Sequence, residues 1–261
     1  MRSLIAGIIC ACTLSVRPVS AAPIDNVGNA GQIVVSAEHL AGVFVTHDEQ
    51  EASQTDPTGL TATAKTDVTT TNISVFGNEA SGLTGFPRLA LDVFVVQGFS
   101  VGGALMYWTG SADAKLEATV SGPGVGSQTV TSDQQVTERV FVIAPRIGYA
   151  YAFDETFALW PRAGISYGSV VREVESEDSD PNTGAPIRVT DTTTFKSTNL
   201  TLELLLVASP FSHFALFGGP YWDISLAGSE EFESDAPGSQ TVDGDYAFSS
   251  YGFTIGILAY F

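Results

Sequence analysis

The sequence predicts an all-β fold, a closed antiparallel eight-stranded up-and-down transmembrane β-barrel. Three observations predict it. Apolar side chains recur at every second position in eight segments. The connections between those segments alternate between a few residues and long polar stretches. The chain closes on the alternating run YGFTIGILAYF, residues 251–261, where a soluble domain would fray into polar residues.

The opening MRSLIAGIICACTLSVRPVSAAPIDN has a basic start at Arg2, an apolar stretch from Leu4 to Leu14, and small residues at Val19-Ser20-Ala21. The stretch is too short to span a bilayer as a helix. It reads as a signal peptide over residues 1–21, followed by a short N-terminal segment, 22–31. A lipoprotein with Cys12 as the lipidated residue is the alternative, although Cys10 stands where a small residue is expected. Both cysteines lie in this leader, so the exported chain holds no disulfide and no thiolate-bound metal. Without Arg2 and Arg17 the chain carries nine basic residues against 29 acidic ones, a net charge of −20. That balance excludes nucleic acid as a partner, because no basic patch meets phosphates. No later run of about 18 apolar residues appears, which leaves strands as the means of crossing a membrane.

The first strand, 32–46, is the least regular. Ser36 and Glu38 share one face, and His39 falls on the other with Ile33 and Val35. The second, 87–96, sets Leu89, Leu91, Val93 and Val95 against Ala90, Asp92 and Phe94. Gln97-Gly98 supplies a tight turn. The third, 99–112, sets Phe99, Val101, Leu105 and Tyr107 against Ser100, Gly102 and Ala104. The fourth, 138–152, sets Phe141, Ile143 and Ile147 against Ala144, Arg146 and Gly148. The fifth, 157–174, sets Phe157, Leu159, Ile165 and Tyr167 against Arg162, Gly164 and Ser166. The sixth, 193–208, sets Leu200, Leu202, Leu204 and Leu206 against Thr201 and Glu203. The seventh, 213–230, sets Phe214, Leu216, Trp222 and Ile224 against Tyr221, Asp223 and Ser225. The eighth, 246–261, sets Phe253, Ile255, Ile257 and Phe261 against Gly252, Thr254 and Gly256.

The long connections are 47–86, 113–137, 175–192 and 231–245, and the others are short. Short turns at one end and long loops at the other characterise bacterial outer-membrane barrels. Over residues 32–261 the chain resembles the small eight-stranded outer-membrane β-barrels of the OmpA/OmpX type. The resemblance implies a bacterial outer-membrane location, with membrane lipids and lipopolysaccharide as surroundings. It implies a barrel-assembly machinery that reads Phe253, Ile255, Ile257 and Phe261, with Ala259 a weaker position in that signal. A soluble barrel such as a lipocalin turns its large apolar residues inward. Here the opposite face is Ser, Gly, Ala, Thr and scattered charge, so the bulky face is expected outward.

Counted from the short-turn end, Glu38, Asp92, Arg146, Arg162 and Glu203 fall at similar depth on the inward face. The arginines stand in PRIG and PRAG, placed symmetrically about Asp154. Buried charges must pair. They are expected to form a salt-bridge layer that plugs the barrel, since eight strands leave room for side chains alone. The alternative is a narrow conduction path lined by the same charges. Residues 157–172 rise about 37 Å at strand pitch and tilt, against an apolar band of about 25 Å. The barrel therefore stands above the outer surface, with Arg172 in its wet part.

The long loops are acidic and read as solvated surface. DSDPNTG, 178–184, resembles the start of a calcium loop through Asp178, Asp180 and Asn182. Gly184 comes one position late, and Val189 stands where a bidentate Glu is needed, which makes this a weak metal candidate. TTTNISVFG, 69–77, is strand-like and is expected as a hairpin above the membrane. The sequons at Asn72 and Asn199 carry no meaning in a bacterial protein. The three histidines, His39, His47 and His213, show no Ser and carboxylate arrangement, and no GxSxG occurs. No cofactor is implied. The expected role is non-enzymatic, structural or surface-interacting, with the surface ligand unknown and the chain a monomer. The rival is a narrow porin-like channel or porter for small or hydrophobic solutes.

Overall fold

The computed structural model describes residues 26–55, 61–75, 86–122, 125–179, 186–236 and 241–261. Residues 1–25, which include the expected signal peptide, lie outside them. Ten strands follow in order: β1 Ile33–Thr55, β2 Thr61–Val75, β3 Arg88–Val96, β4 Phe99–Gly122, β5 Val125–Tyr149, β6 Tyr151–Ala152, β7 Phe157–Ser179, β8 Pro186–Phe211, β9 Phe214–Ser234 and β10 Val242–Tyr260.

They make one antiparallel ring with eight strand positions. β2 and β3 occupy a single position beside β1: β2 pairs its upper part, Ala41 to Thr55, and β3 its lower part, Ile33 to Glu38. β5 and β6 likewise follow one another along β7. The ring closes where β1 meets β10, from Val34 opposite Tyr260 to Ala52 opposite Gly244. Ile33 and Phe261 exchange backbone hydrogen bonds of 3.1 and 3.0 Å at the lower end of this seam. Closure gives the backbone groups of both terminal strands partners that hydrocarbon cannot supply. Gly98, at φ 77°, makes the tight turn between β3 and β4, a conformation that costs a glycine nothing.

The strands run well past the eight segments of apolar alternation. β4 and β5 pair as far as Gly122 and Val125, and β7 and β8 as far as Ser179 and Pro186. Most of 47–86, 113–137, 175–192 and 231–245 is thus strand rather than loop. The reason is that above the membrane both faces meet water. The two-residue hydrophobic period fades there, while the hydrogen-bonded ladder and its Thr and Val residues continue. Of the expected hairpin at 69–77, residues 69–75 form the end of β2, paired with Ala41 to His47 of β1 in the ring position that β3 takes lower down, beginning at the height of Ile255; 76 and 77 lie outside the described residues.

The bulky residues face outward. Leu89, Leu105, Ile143, Ile147, Ile255 and Leu206 are all exposed, around the whole ring. Soluble monomers rarely expose an apolar belt of this extent. The belt meets acyl chains.

The lumen corrects one expectation. Its face is not only small and polar. The lower end holds a packed apolar core of Val34, Phe94, Trp160, Leu205, Phe217 and Leu258. The upper part holds Phe86, Met106, Val140, Tyr246 and Phe248, with Phe86 stacked on Trp108 at 4.9 Å. Charged residues lie between these two layers. Residues 26–32 pack across the lower mouth. Val27 joins the lower core, Gly28 N–H donates to Gln32 Oε1 at 2.7 Å, and Ser209 Oγ–H donates to Asn26 Oδ1 at 3.0 Å.

Candidate functional site

The charged layer is built by five strands of the wall. β1 brings Glu38, β3 Asp92, β5 Arg146, β7 Arg162 and β8 Glu203, all at most 8% exposed. Register explains their meeting. Asp92 stands opposite Gly102 and Gly102 opposite Arg146, so a residue without a side chain separates the two charges. A Cβ at Gly102 would collide with Asp92 Oδ1 and with the Leu91 carbonyl. Arg162 stands directly opposite Glu203. It lies opposite Gly148 on its other side, where a Cβ would come within 3.0 Å of Arg162 Cγ.

Arg146 is clamped from two sides. Its Nη1 and Nη2 donate to Glu38 at 2.7 and 2.8 Å, and its Nε and Nη2 donate to Asp92 at 3.1 and 2.5 Å. Arg162 Nη1 donates to the same Glu38 at 2.7 Å, and its Nε donates to Glu203 at 2.7 Å. Glu38 thus bridges the two guanidinium groups, and Ser36 Oγ–H donates to it at 3.0 Å. The Arg162 guanidinium also lies 4.8 Å over the Trp160 ring. That contact joins the charged layer to the lower core. The five residues expected to meet are together, in a continuous ionic network that crosses the lumen.

Three further groups share the layer. Arg88 and Asp223 are buried on the inward faces of β3 and β9. Both have the inward parity of their strands: the alternation already sets Asp223 on the inner face, and Arg88 is the inner-face position preceding Ala90 in β3. Thr201 Oγ–H donates to Asp223 Oδ1 at 2.5 Å. His39 is the exception. Alternation puts it outward with Ile33 and Val35, but it is 1% exposed inside the lumen. Between the pairs Ala37–Ile257 and Ala41–Ile255, three residues of β1 face only one of β10, and His39 takes φ 56° in the resulting bulge. The bulge turns Glu38 and His39 inward together. His39 Nε2 lies 3.9 Å from Glu203 Oε1, and its ring stacks 5.9 Å from Phe44. No sequence period marks such a bulge.

The other sites of interest lie elsewhere. Phe253, Ile255 and Phe261 are exposed on the outer face of β10 or at its end, and Ile257 sits beside them. Asp178 lies in β7, while Asp180 and Asn182 fall outside the described residues. His213 holds φ 67° in the turn between β8 and β9, with Nδ1 3.1 Å from the Tyr260 carbonyl oxygen. His47, on the outer face of β1, meets Thr69 Oγ1 at 3.1 Å and Asp67 Oδ1 at 3.4 Å, both through Nδ1. With hydroxyl and carboxylate on one nitrogen, the ring is not set between a nucleophile and an orienting acid.

A ring closed on itself, apolar outside and ionic within, is the architecture of a bacterial outer-membrane β-barrel. No family model matches the chain, and no curated protein does. Among solved structures it is similar to the outer membrane protein OprG from Pseudomonas aeruginosa, at 12% identity and TM-score 0.47, over 91% of this chain and 99% of that one. It is similar to Ail, the attachment invasion locus protein of Yersinia pestis, at 12% identity and TM-score 0.32, over 89% and 99%. It is also similar to the outer membrane protease OmpT from Escherichia coli, at 11% identity and TM-score 0.35, over 88% and 97%. None of these likenesses carries a residue role across to this chain.

Proposed function

We propose that the chain is a non-enzymatic outer-membrane barrel with a closed lumen and a structural or surface-interaction role. The observation that carries this reading is the continuous filling of the interior: a cork at Asn26 to Gln32, an apolar layer, the Arg146–Glu38–Arg162 network, and a second apolar layer. Eight strands leave no bore beside such side chains. The acidic strand extensions are then what the protein offers to the outside. Membrane lipids and lipopolysaccharide surround the apolar belt. Phe253, Ile255, Ile257 and Phe261 serve as the recognition signal for the assembly machinery.

A second reading, a narrow porter for small or hydrophobic solutes, is favoured by one observation. Among the described residues, β4 above Leu105 pairs with β5 alone, and β2 pairs with β1 alone. The wall between β2 and β4 is therefore not laddered at that height. One experiment separates the two readings. Purified barrel in liposomes is assayed for swelling with graded sugars and amino acids, and in planar bilayers for current. The closed barrel gives neither. Steady single-channel conductance or solute-dependent swelling overturns it in favour of the porter.

A further inference from the structure

We propose that His47, Glu49 and Asp67 form a binding site for one divalent transition-metal ion of the zinc class. The site lies on the outer face of the β1–β2 hairpin, away from the charged lumen. Antiparallel pairing sets His47 opposite Thr69 and Glu49 opposite Asp67. Val43 and Val45 precede them on the same outward face. The three side chains therefore stand at consecutive positions just above the apolar belt. One ligand atom from each lies within 4.8 Å of the other two.

The donor set is one imidazole nitrogen and two carboxylate oxygens. This mixture suits a borderline ion such as Zn²⁺ better than Ca²⁺ or Mg²⁺, which favour all-oxygen shells. Tetrahedral bonds of about 2.0–2.2 Å place ligand atoms roughly 3.4 Å apart. His47 Nδ1 and Asp67 Oδ1 already stand at 3.4 Å. Glu49, whose oxygen lies within 4.8 Å of the other two ligand atoms, has to swing in by up to about 1.4 Å to reach that spacing, and its side chain is 44% exposed and has the room. Two exposed contacts oppose binding: Thr69 Oγ1, 3.1 Å from His47 Nδ1, has to give up that nitrogen, and Glu49 has to leave Lys65. Lys65 Nζ sits 3.6 Å from Glu49 Oε1, a half-exposed pair of the kind worth little. Charge favours a cation here. Glu51 stands opposite Lys65 on β2 and opposite Asp245 on β10, so Lys65 faces four carboxylates. Three protein ligands leave a fourth position toward the outside for water. A bound ion would staple β2 to β1 along the edge where β2 has no other strand partner among the described residues.

The test uses the untagged full barrel, refolded in detergent micelles and stripped with chelator. ZnCl₂ is titrated calorimetrically at pH 7.5. We expect one saturable event per chain. H47A and D67N are each expected to weaken it by at least tenfold, with MgCl₂ giving no saturable heat. Co²⁺ in place of Zn²⁺ is expected to give visible absorption bands that H47A abolishes. Heat-modifiable gel migration checks that each variant is folded, which is expected because all three side chains face outward. Absence of saturable zinc binding overturns the proposal. Binding of undiminished strength in folded H47A and D67N also overturns it, because zinc is then held elsewhere.

Discussion

Arg146 is where the lumen is most sensitive to a single change. Its guanidinium answers both Glu38 and Asp92, and all three are cut off from water. Substituting Met removes the guanidinium that both Glu38 and Asp92 bind and leaves them to Arg162, which already serves Glu203. Breaking a buried pair in this way costs about 3–5 kcal/mol, whereas removing both members together costs far less. R146M should therefore lower the urea stability of the vesicle-inserted barrel by that amount, read by tryptophan fluorescence. D92N/R146M should recover a large part of the loss. If the double variant is as weak as the sum of its singles, the network is not the coupled unit described above.

At the level of strands, the upper hairpins carry their own titration. Asp48 lies on the inward side of β1 at the height of His47, above the apolar belt, and accepts from Tyr246 Oη at 2.9 Å. Burial lifts its carboxyl above the usual aspartate range, against the opposing hydrogen bond from Tyr246 and the neighbouring His47. A raised folded-state value means that ionisation costs stability. The site is most favourable below the unfolded-state value, and that advantage is lost as pH rises through the raised one. D48N keeps an oxygen for Tyr246 and has no such dependence. Urea midpoints should separate it from the parent more at pH 7.5 than at pH 4, with the variant the more stable at pH 7.5. This extended upper architecture was the least legible part of the chain. Alternation located the eight membrane strands because the outer face had to be bulky and apolar along its length, while the inner face mixes small, polar and charged residues with its apolar ones. It located Glu38, Asp92, Arg146, Arg162 and Glu203 because charge on the inner face needs company. It did not reveal that β4 and β5 continue to Gly122 and Val125, since water on both sides removes the contrast. Nor did it reveal His39, whose place depends on a backbone irregularity, or the apolar packing of Trp160 and Leu205, which share the inward parity of Arg162 and Glu203.

On the proposed reading, the whole molecule is sealed more than once along its axis: the segment Asn26 to Gln32 at the lower mouth and the ionic layer in the middle are two separate barriers. Deleting residues 22–31 should therefore cost some thermal stability, through the loss of Val27 from the lower core, and still give no liposome swelling. Swelling in that variant would mean that the cork is the only barrier. The bulge in β1 has one more consequence. Because it loops out two residues and not one, the in-and-out order resumes unchanged above it: Val43 still looks to acyl chains and Phe44 still looks inward. A change of even length is the kind the closing seam tolerates there. An odd one would turn the remainder of β1 inside out, setting Phe44 in lipid and Val43 over the ions.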